Sequence, residues 1–523
     1  MDASSTPTPD SGPGGPAGFT GLRYGELVER RAERQPHRTA IICGDERISY
    51  GQLLDRIRAA ASFLTEQGVR PGDRVVCYSE NRPEILIALY ASSRIGAVFT
   101  PVGIASPPTD VGYILQDLSA RVLLVSPHTV DAGREVPGVD GIPILSLEKV
   151  RDLALPHLPA YVPGPAPEHR PTADSAALIV YTSGTSGHPK GVTLSHGALF
   201  FNGVNTLLGL DIVADDVTLV NTPLSHVAAL NTLAVATLYK GGTVILDSKF
   251  DARRCLRQIE QFAVTTMFAV PSMLTLMAQV PGFPDANTSS LRWILGGGAP
   301  MPPELVALWA SRGVPVLASY GLTEAGPSVS FRRATDAALK SASSGTPALL
   351  TDLRIISDDG SDLPPGQVGE VLVRGPHIAS GYWGNETATA ETFRQGWLAS
   401  GDRGFLDVDG DLCITGRSKE IIITGGENVD PAEIEHLVVQ YPGIRDAAVV
   451  GRPDPVWGEI ITAVVVCDDT VELEELQQFL RPHLAKFKIP RVLERRESLP
   501  RSPVGKLLRR ELTPTSQDTP VQR

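Results

Sequence analysis

The 523-residue chain has few cysteines, no long basic run, no uninterrupted apolar stretch and no hydrophobic leader, and each absence removes a class of function. Cys43, Cys77, Cys255, Cys413 and Cys467 lie far apart, with no CxxC pair and no histidine at metal-ligand spacing. That excludes a disulfide scaffold and a cysteine metal cage and fits scattered thiols of a reducing compartment. The formal charge is −12, and the most basic segment, Lys486 to Arg510, is interleaved with acids and prolines, so nucleic acid is not the expected partner. The longest apolar stretch, Ile85 to Val102, is broken by Ser92, Ser93, Arg94 and Gly96, which is too polar for a membrane span. The start, MDASSTPTPDSGPGGPAG, has neither the basic region nor the apolar core of a signal peptide. Its composition predicts a disordered tail over residues 1–21, and residues 513–523 read the same way. A cytoplasmic protein is expected.

What is present is a two-period pattern. From Ser49, apolar residues recur at helical spacing (Leu53, Leu54, Ile57, Ala61, Leu64), Ser49 and Gln52 have capping-box spacing, and Gly68 closes the segment. Short apolar runs such as RVVCY, RVLLVS, TLVNTP, GGTVILD and TTMFAVPS alternate with helical stretches, which predicts parallel α/β sheets covered on both faces. After about residue 340 the texture shifts to β-type runs separated by Asp-Gly and Pro-Gly turns (TDLRIISDDG, GQVGEVLVRG, DGDLCITGR), a small β subdomain over about 340–418. From Lys419 to residue 512 strand and helix patterns return as a small α/β unit. The expected fold is therefore α/β: a large N-terminal domain (22–418) of stacked α/β subdomains with the β subdomain, then a small C-terminal α/β domain (419–512).

The most informative segment is YTSGTSGHPKGV, Tyr181 to Val192, which holds three glycines, five hydroxyl residues and one lysine directly after the strand-like run AALIV. Free backbone N–H groups in a glycine-rich turn, ringed by hydroxyls and ending in a cation, suit a triphosphate. An ordinary P-loop needs Lys directly after its second Gly, whereas His188 and Pro189 intervene before Lys190. The kinase and GTPase readings lose weight accordingly.

Four further clusters accompany it: LGGGAPMP at 295–302, YGLTEAG at 320–326, SGDRG at 400–404 with GRSKE at 416–420, and LPRSPVGKLLRREL at 499–512. In this order and spacing, over about residues 22–512, the chain resembles the adenylate-forming superfamily of acyl-CoA synthetases, peptide-synthetase adenylation domains and beetle luciferases. The resemblance implies an AMP-forming ligase, in which a carboxylate attacks the α-phosphate of MgATP to give an acyl-adenylate and pyrophosphate, and a thiol then displaces AMP. It implies that Thr182, Ser183, Gly184, Thr185, Ser186, Gly187 and Lys190 hold the β- and γ-phosphates. Gly297, Gly298, Ala299 and Pro300 would form the ledge beside the adenine and the acyl pocket, with Tyr320 and Gly321 at the adenine, Thr323 at the α-phosphate and Glu324 as the Mg²⁺ ligand. Asp402 would take the ribose hydroxyls and Arg417 the ribose or a phosphate. Lys506 would reach from the small domain to the α-phosphate and the acid oxygen, where a cation between two approaching anions lowers the barrier. Lys419 occupies the family's hinge, about which the mobile small domain turns to bring Gly425, Gly426 and Glu427 to the acceptor channel.

For the acid pocket, TPLSHVAALN carries no carboxylate where amino-acid-activating relatives place one, which disfavours an amino acid. His226, Val227, Ala228, Asn231, Phe268, Val270, Gly297, Ser319 and Pro327 would shape it and suit a fatty or aryl acid, with His226 lining the pocket and gating the carboxylate. The tail motif is closer to free-standing CoA ligases, so CoA is the expected acceptor and a small-molecule acid the partner; the sequence is compatible with a homodimer. Two alternatives stay open at this point: adenylation with a non-CoA acceptor (a carrier protein, or activation of a small oxyacid such as nitrite for attack by an amine, as in a diazotase), and a catalytically silent scaffold homologue.

Overall fold

The structure, a computed structural model, describes residues 23–152, 171–182, 189–299, 301–333, 343–417, 420, 422–424, 427–429, 431–454, 457–467, 471–502, 505 and 507–512. The described residues fall into two compact units, one within Met1–Ser341, Gly345–Asp352 and Val373–Ala399, the other within Ala342–Ser344, Leu353–Leu372 and Ser400–Arg523.

Local sequence chemistry sets the element ends of the first unit. The Ser49 hydroxyl accepts from the Gln52 N–H at 3.2 Å while Gln52 Oε1 accepts from the Ser49 N–H at 2.8 Å, a complete capping box opening the helix Tyr50–Glu66. Leu53, Leu54, Ile57, Ala61 and Leu64 form its buried face. The next helix, Pro83–Ile95, starts on a proline that needs no donor there and stops at Gly96, whose φ of 76° only glycine takes freely.

These helices cover two large sheets. The first has the strand order Ser330–Phe331, Val316–Tyr320, Trp293–Gly296, Thr266–Ala269, Val217–Val220, Thr243–Leu246, Thr39–Cys43, with short strands Thr346–Pro347 and Glu46–Ser49 at its edges. From Val316–Tyr320 through Thr39–Cys43 every pairing is parallel, and the edges are antiparallel. The second runs Gly381–Tyr382, Lys190–Ser195, Ala176–Thr182, Val98–Val102, Arg74–Tyr78, Val122–Val125, Ile144–Ser146; its first two pairings are antiparallel and the rest parallel. The expected parallel α/β layers are present, as two sheets with antiparallel margins. A π-helical stretch, Ala228–Ala234, precedes the helix Val235–Lys240; such widened turns recur at functional sites.

In the second unit, Leu412–Arg417 runs antiparallel to residues 402–406. Further along the chain, strands Glu427–Val429, Ile422–Thr424, Gly458–Cys467 and Ile444–Asp454 form a sheet in that order, with Val492–Arg495 parallel to Gly458–Cys467. Ile434 and Val438 of one helix and Leu476 and Leu480 of another join that sheet in one apolar core.

Two histidines are built into the first unit as neutral groups. His196 accepts from the Tyr24 N–H through Nδ1 at 3.1 Å, and His377 lies 3.4 Å from both Asn205 Nδ2 and Thr351 Oγ1. Both are fully buried, and burial pushes each pKa down to about 4. The unfolded chain therefore binds more protons than the native one between pH 6.5 and 4, so the stabilisation is whole above pH 6.5 and is lost as pH falls, by about 1.4 kcal/mol per unit per histidine. Thermal unfolding followed from pH 7.5 to 5 is expected to show a falling Tm below pH 6.5, with a shallower fall in His377→Gln; parallel curves would contradict the neutral burial of this residue.

Candidate active site

The chain between Thr182 and Lys190 caps an antiparallel hairpin: Thr182 stands opposite Lys190, Tyr181 opposite Gly191 and Val180 opposite Val192. Unlike a P-loop, which leads from strand into helix, this turn leads from strand into strand. Ser183, Gly184, Thr185, Ser186, Gly187 and His188 lie outside the described residues. Their anchors do not. The Tyr181 hydroxyl donates to Asp117 Oδ2, and burial together with that carboxylate pushes the phenol pKa well up. On the other side of the hairpin, strand Gly381–Tyr382 pairs with Thr193 and Val192, the Trp383 N–H donates to the Gly191 carbonyl at 2.7 Å, and Trp383 Nε1 donates to the Asp117 carbonyl at 3.2 Å.

That same edge strand reaches the YGLTEAG motif. Thr323–Ala325 is one turn of 3₁₀ helix. The Glu324 carbonyl accepts from the Ala379 N–H at 2.8 Å, and Glu324 Oε1 accepts from the Tyr382 hydroxyl at 2.8 Å. The face of the Tyr382 ring carries the Lys190 ammonium, 5.0 Å from its centroid. Burial first and the Glu324 carboxylate second push the Tyr382 pKa up, which keeps it a donor. Lys190, Glu324 and Tyr382 thus form one contact chain, with Thr323 beside it in sequence. Tyr382 was not singled out from the sequence; the signal available was the aromatic pair in GYWGN, which on its own reads as a turn.

Gly321 precedes that turn because nothing else fits: a Cβ built there would stand 1.6 Å from the Pro327 carbonyl oxygen. The ledge is equally tight. A Cβ on Gly297 would meet Phe268 Cε2 and Ser319 Oγ at 3.0 Å each, Gly298 has φ of 79° with Val270 Cγ1 beside it, and the Ser319 hydroxyl donates to the Gly296 carbonyl at 3.0 Å. Register places Phe268 opposite Leu295 and Leu295 opposite Leu317, so Phe268, Leu295, Gly297, Leu317 and Ser319 share one face of the first sheet. Tyr320, one step on, opposes Ser330. Ala299 is exposed on the ledge, and Pro300 lies outside the described residues.

His226 closes a turn, its N–H donating to the Pro223 carbonyl at 3.0 Å, just ahead of Val227 and the π-helix. Burial lowers its pKa to about 4, so the ring is neutral at physiological pH. It can line the pocket and hydrogen-bond an acid, but it attracts no carboxylate by charge. Asn231, on the π-helix, has both ends of its amide engaged. Its Oδ1 accepts from the Tyr24 hydroxyl at 2.7 Å and its Nδ2 donates to the Gly326 carbonyl at 3.3 Å, so the buried amide ties the π-helix to the YGLTEAG turn.

In the second unit Asp402 and Arg417 stand opposite each other in the ladder, and Arg417 Nε meets Asp402 Oδ1 at 2.8 Å, the carboxylate nearly buried and the guanidinium half exposed. Lys506, Lys419, Gly425 and Gly426 lie outside the described residues, as does the Glu427 side chain. The described neighbours of Lys506 form a tight reversal: Arg501 bridges Leu507, the Gly505 N–H donates to the Ser502 carbonyl at 2.7 Å, and Arg501 grips both oxygens of Asp446 at 2.7 and 2.8 Å.

Comparison with known proteins identifies the family. The family model described as AMP-binding enzyme matches residues 28–383, and that of the AMP-binding enzyme C-terminal domain matches residues 433–506. A feruloyl-CoA synthase of an Amycolatopsis species is 40% identical over 491 residues, covering 93% of this chain and 98% of that protein. An indoleacetate–CoA ligase of Aromatoleum aromaticum is 37% identical over 502 residues, covering 93% and 96%. Among solved structures, o-succinylbenzoate CoA synthetase from Bacillus subtilis in complex with its acyl-adenylate intermediate superposes with a TM-score of 0.82 at 29% identity, covering 94% of this chain and 98% of that one. With one family model matching residues 28–383 and its C-terminal counterpart residues 433–506, the chain belongs to the AMP-binding enzyme family.

Proposed function

We propose that this chain is an ATP-dependent acid–CoA ligase acting on an aryl or arylalkyl acid. The observation that carries the reading is the arrangement around Tyr382, where a cation and a carboxylate are both presented without neutralising each other. The relatives named for ferulate and indoleacetate support the aromatic substrate class, as does an acid pocket floored by the Phe268 ring against Gly297 and devoid of charge at His226.

In the first half-reaction an acid oxygen attacks the α-phosphorus and the bond to pyrophosphate breaks. Lys190 and the turn that precedes it hold the β- and γ-phosphates, and Thr323 orients the α-phosphate. Mg²⁺ suits the donor set, because Glu324 offers a hard oxygen there; when bound it supplies charge neutralisation to the triphosphate. Asp402 and Arg417 take the ribose, and Lys506 sits between the two anions. In the second half-reaction the CoA sulfur attacks the acyl carbonyl and AMP leaves, with Gly425, Gly426 and Glu427 lining the thiol path after the small domain turns about Lys419. The described cysteines are free thiols and no helix of the described residues is long and apolar enough to cross a membrane, which fits the cytoplasm.

Two measurements test this. Lys506→Ala is expected to lower acyl-AMP formation by about 10²–10³-fold while sparing thioester formation from supplied acyl-AMP; equal loss of both half-reactions would reject the division of labour. Pyrophosphate release across a panel of aryl, arylalkyl, fatty and amino acids is expected to be highest with an aromatic acid and to continue past one turnover only with CoA. Acid-dependent turnover indifferent to CoA would overturn the acceptor assignment.

A further inference from the structure

Tyr382 is built so that its phenol and its ring do separate jobs. Its backbone is fixed by the ladder to Val192 and by the Thr389 hydroxyl, which accepts from the Tyr382 N–H at 2.9 Å; Phe393 packs edge-on at 5.9 Å between centroids. The phenol hydroxyl donates to Glu324 Oε1 at 2.8 Å. Glu324 is held twice by this one segment, through its carbonyl by Ala379 and through Oε1 by Tyr382. Among the described residues no other hydrogen bond reaches the Glu324 carboxylate, which leaves Oε2 open, and Lys190 makes no ion pair there.

We propose that Tyr382 is the positioning residue for the divalent-cation–triphosphate complex: its hydroxyl fixes the Glu324 carboxylate with Oε2 presented to the cation, and its ring holds the Lys190 ammonium toward the phosphates. This rests on the reading of Glu324 as the metal ligand and of Lys190 as a phosphate ligand. It assigns distinct consequences to the two parts of the side chain. Removing the hydroxyl alone loosens the carboxylate and costs the metal-dependent part of nucleotide binding; removing the ring also releases the lysine and costs the metal-independent part.

The test is calorimetric titration of full-length protein with a non-hydrolysable ATP analogue, without acid or CoA, at zero and saturating Mg²⁺, alongside Tm. Wild type is expected to bind more tightly with Mg²⁺. Tyr382→Phe should keep the Mg²⁺-free affinity within about twofold and lose most of the gain that Mg²⁺ gives, about tenfold; Tyr382→Leu should lose affinity in both conditions. Glu324→Gln is the control for the underlying reading. If Glu324→Gln removes the Mg²⁺ gain and Tyr382→Phe leaves it at the wild-type level, the positioning role of Tyr382 is overturned while the metal-ligand reading stands. If Glu324→Gln itself keeps the gain, both fall. Loss in Tyr382→Phe at unchanged Tm supports the proposal, because a merely structural tyrosine would not distinguish the two Mg²⁺ conditions.

Discussion

The site proposed for a triphosphate and its cation keeps a lysine and a glutamate near one side chain without letting them pair. An ammonium and a carboxylate left in direct contact at a half-buried position would attract by several kcal/mol, and the nucleotide would have to break that pair before binding. Here each group is occupied by Tyr382 instead, the lysine by the quadrupole of the ring face and the glutamate by the phenol hydrogen. Both interactions are weaker than an ion pair and leave the charges available. The hairpin fixes the backbone of Lys190, its edge strand that of Tyr382, and the Ala379 N–H that of Glu324.

The residues proposed for the acid side follow the opposite rule, the removal of charge. His226 is neutral by burial, and Asn231 spends its amide on Tyr24 and Gly326. What remains facing the sheet is shape: the Phe268 ring, the glycine ledge and the serine hydroxyl turned back onto its own backbone. If these residues line the acid pocket as proposed, discrimination between acids rests on contact area and steric exclusion, terms worth about 1–3 kcal/mol for each methylene-sized difference.

How much of this was legible depended on whether the determining residues were neighbours in sequence. Ser49 and Gln52 announce their capping box because both partners lie within one turn, and the helical spacing from Leu53 to Leu64 predicts the buried face that the structure has. The departure from the P-loop at His188 and Pro189 correctly separates this loop from a strand-to-helix turn. By contrast, nothing local tells Thr39–Cys43 that its parallel partner is Thr243–Leu246, two hundred residues later. The roles of Tyr382 and Asn231 were hidden for the same reason: their partners, Glu324 and Lys190 for one and Tyr24 and Gly326 for the other, are distant in sequence, and an aromatic in GYWGN or an amide in AALNTLA carries no local mark of its contacts. Asp402 and Arg417 were named separately from motifs, and only strand register shows that they face each other.

The strand Gly381–Tyr382 lies at the margin of its sheet and is the last of the seven strands to be synthesised. Ribosomes add about 5–20 residues per second, so the hairpin ending at Ser195 emerges roughly 10–40 s before the residues that complete it. During that interval Lys190 has no ring beneath its ammonium, and Glu324, once synthesised, has no phenol to donate to it. The contact that joins Lys190, Tyr382 and Glu324 is therefore completed only when this edge strand has been made.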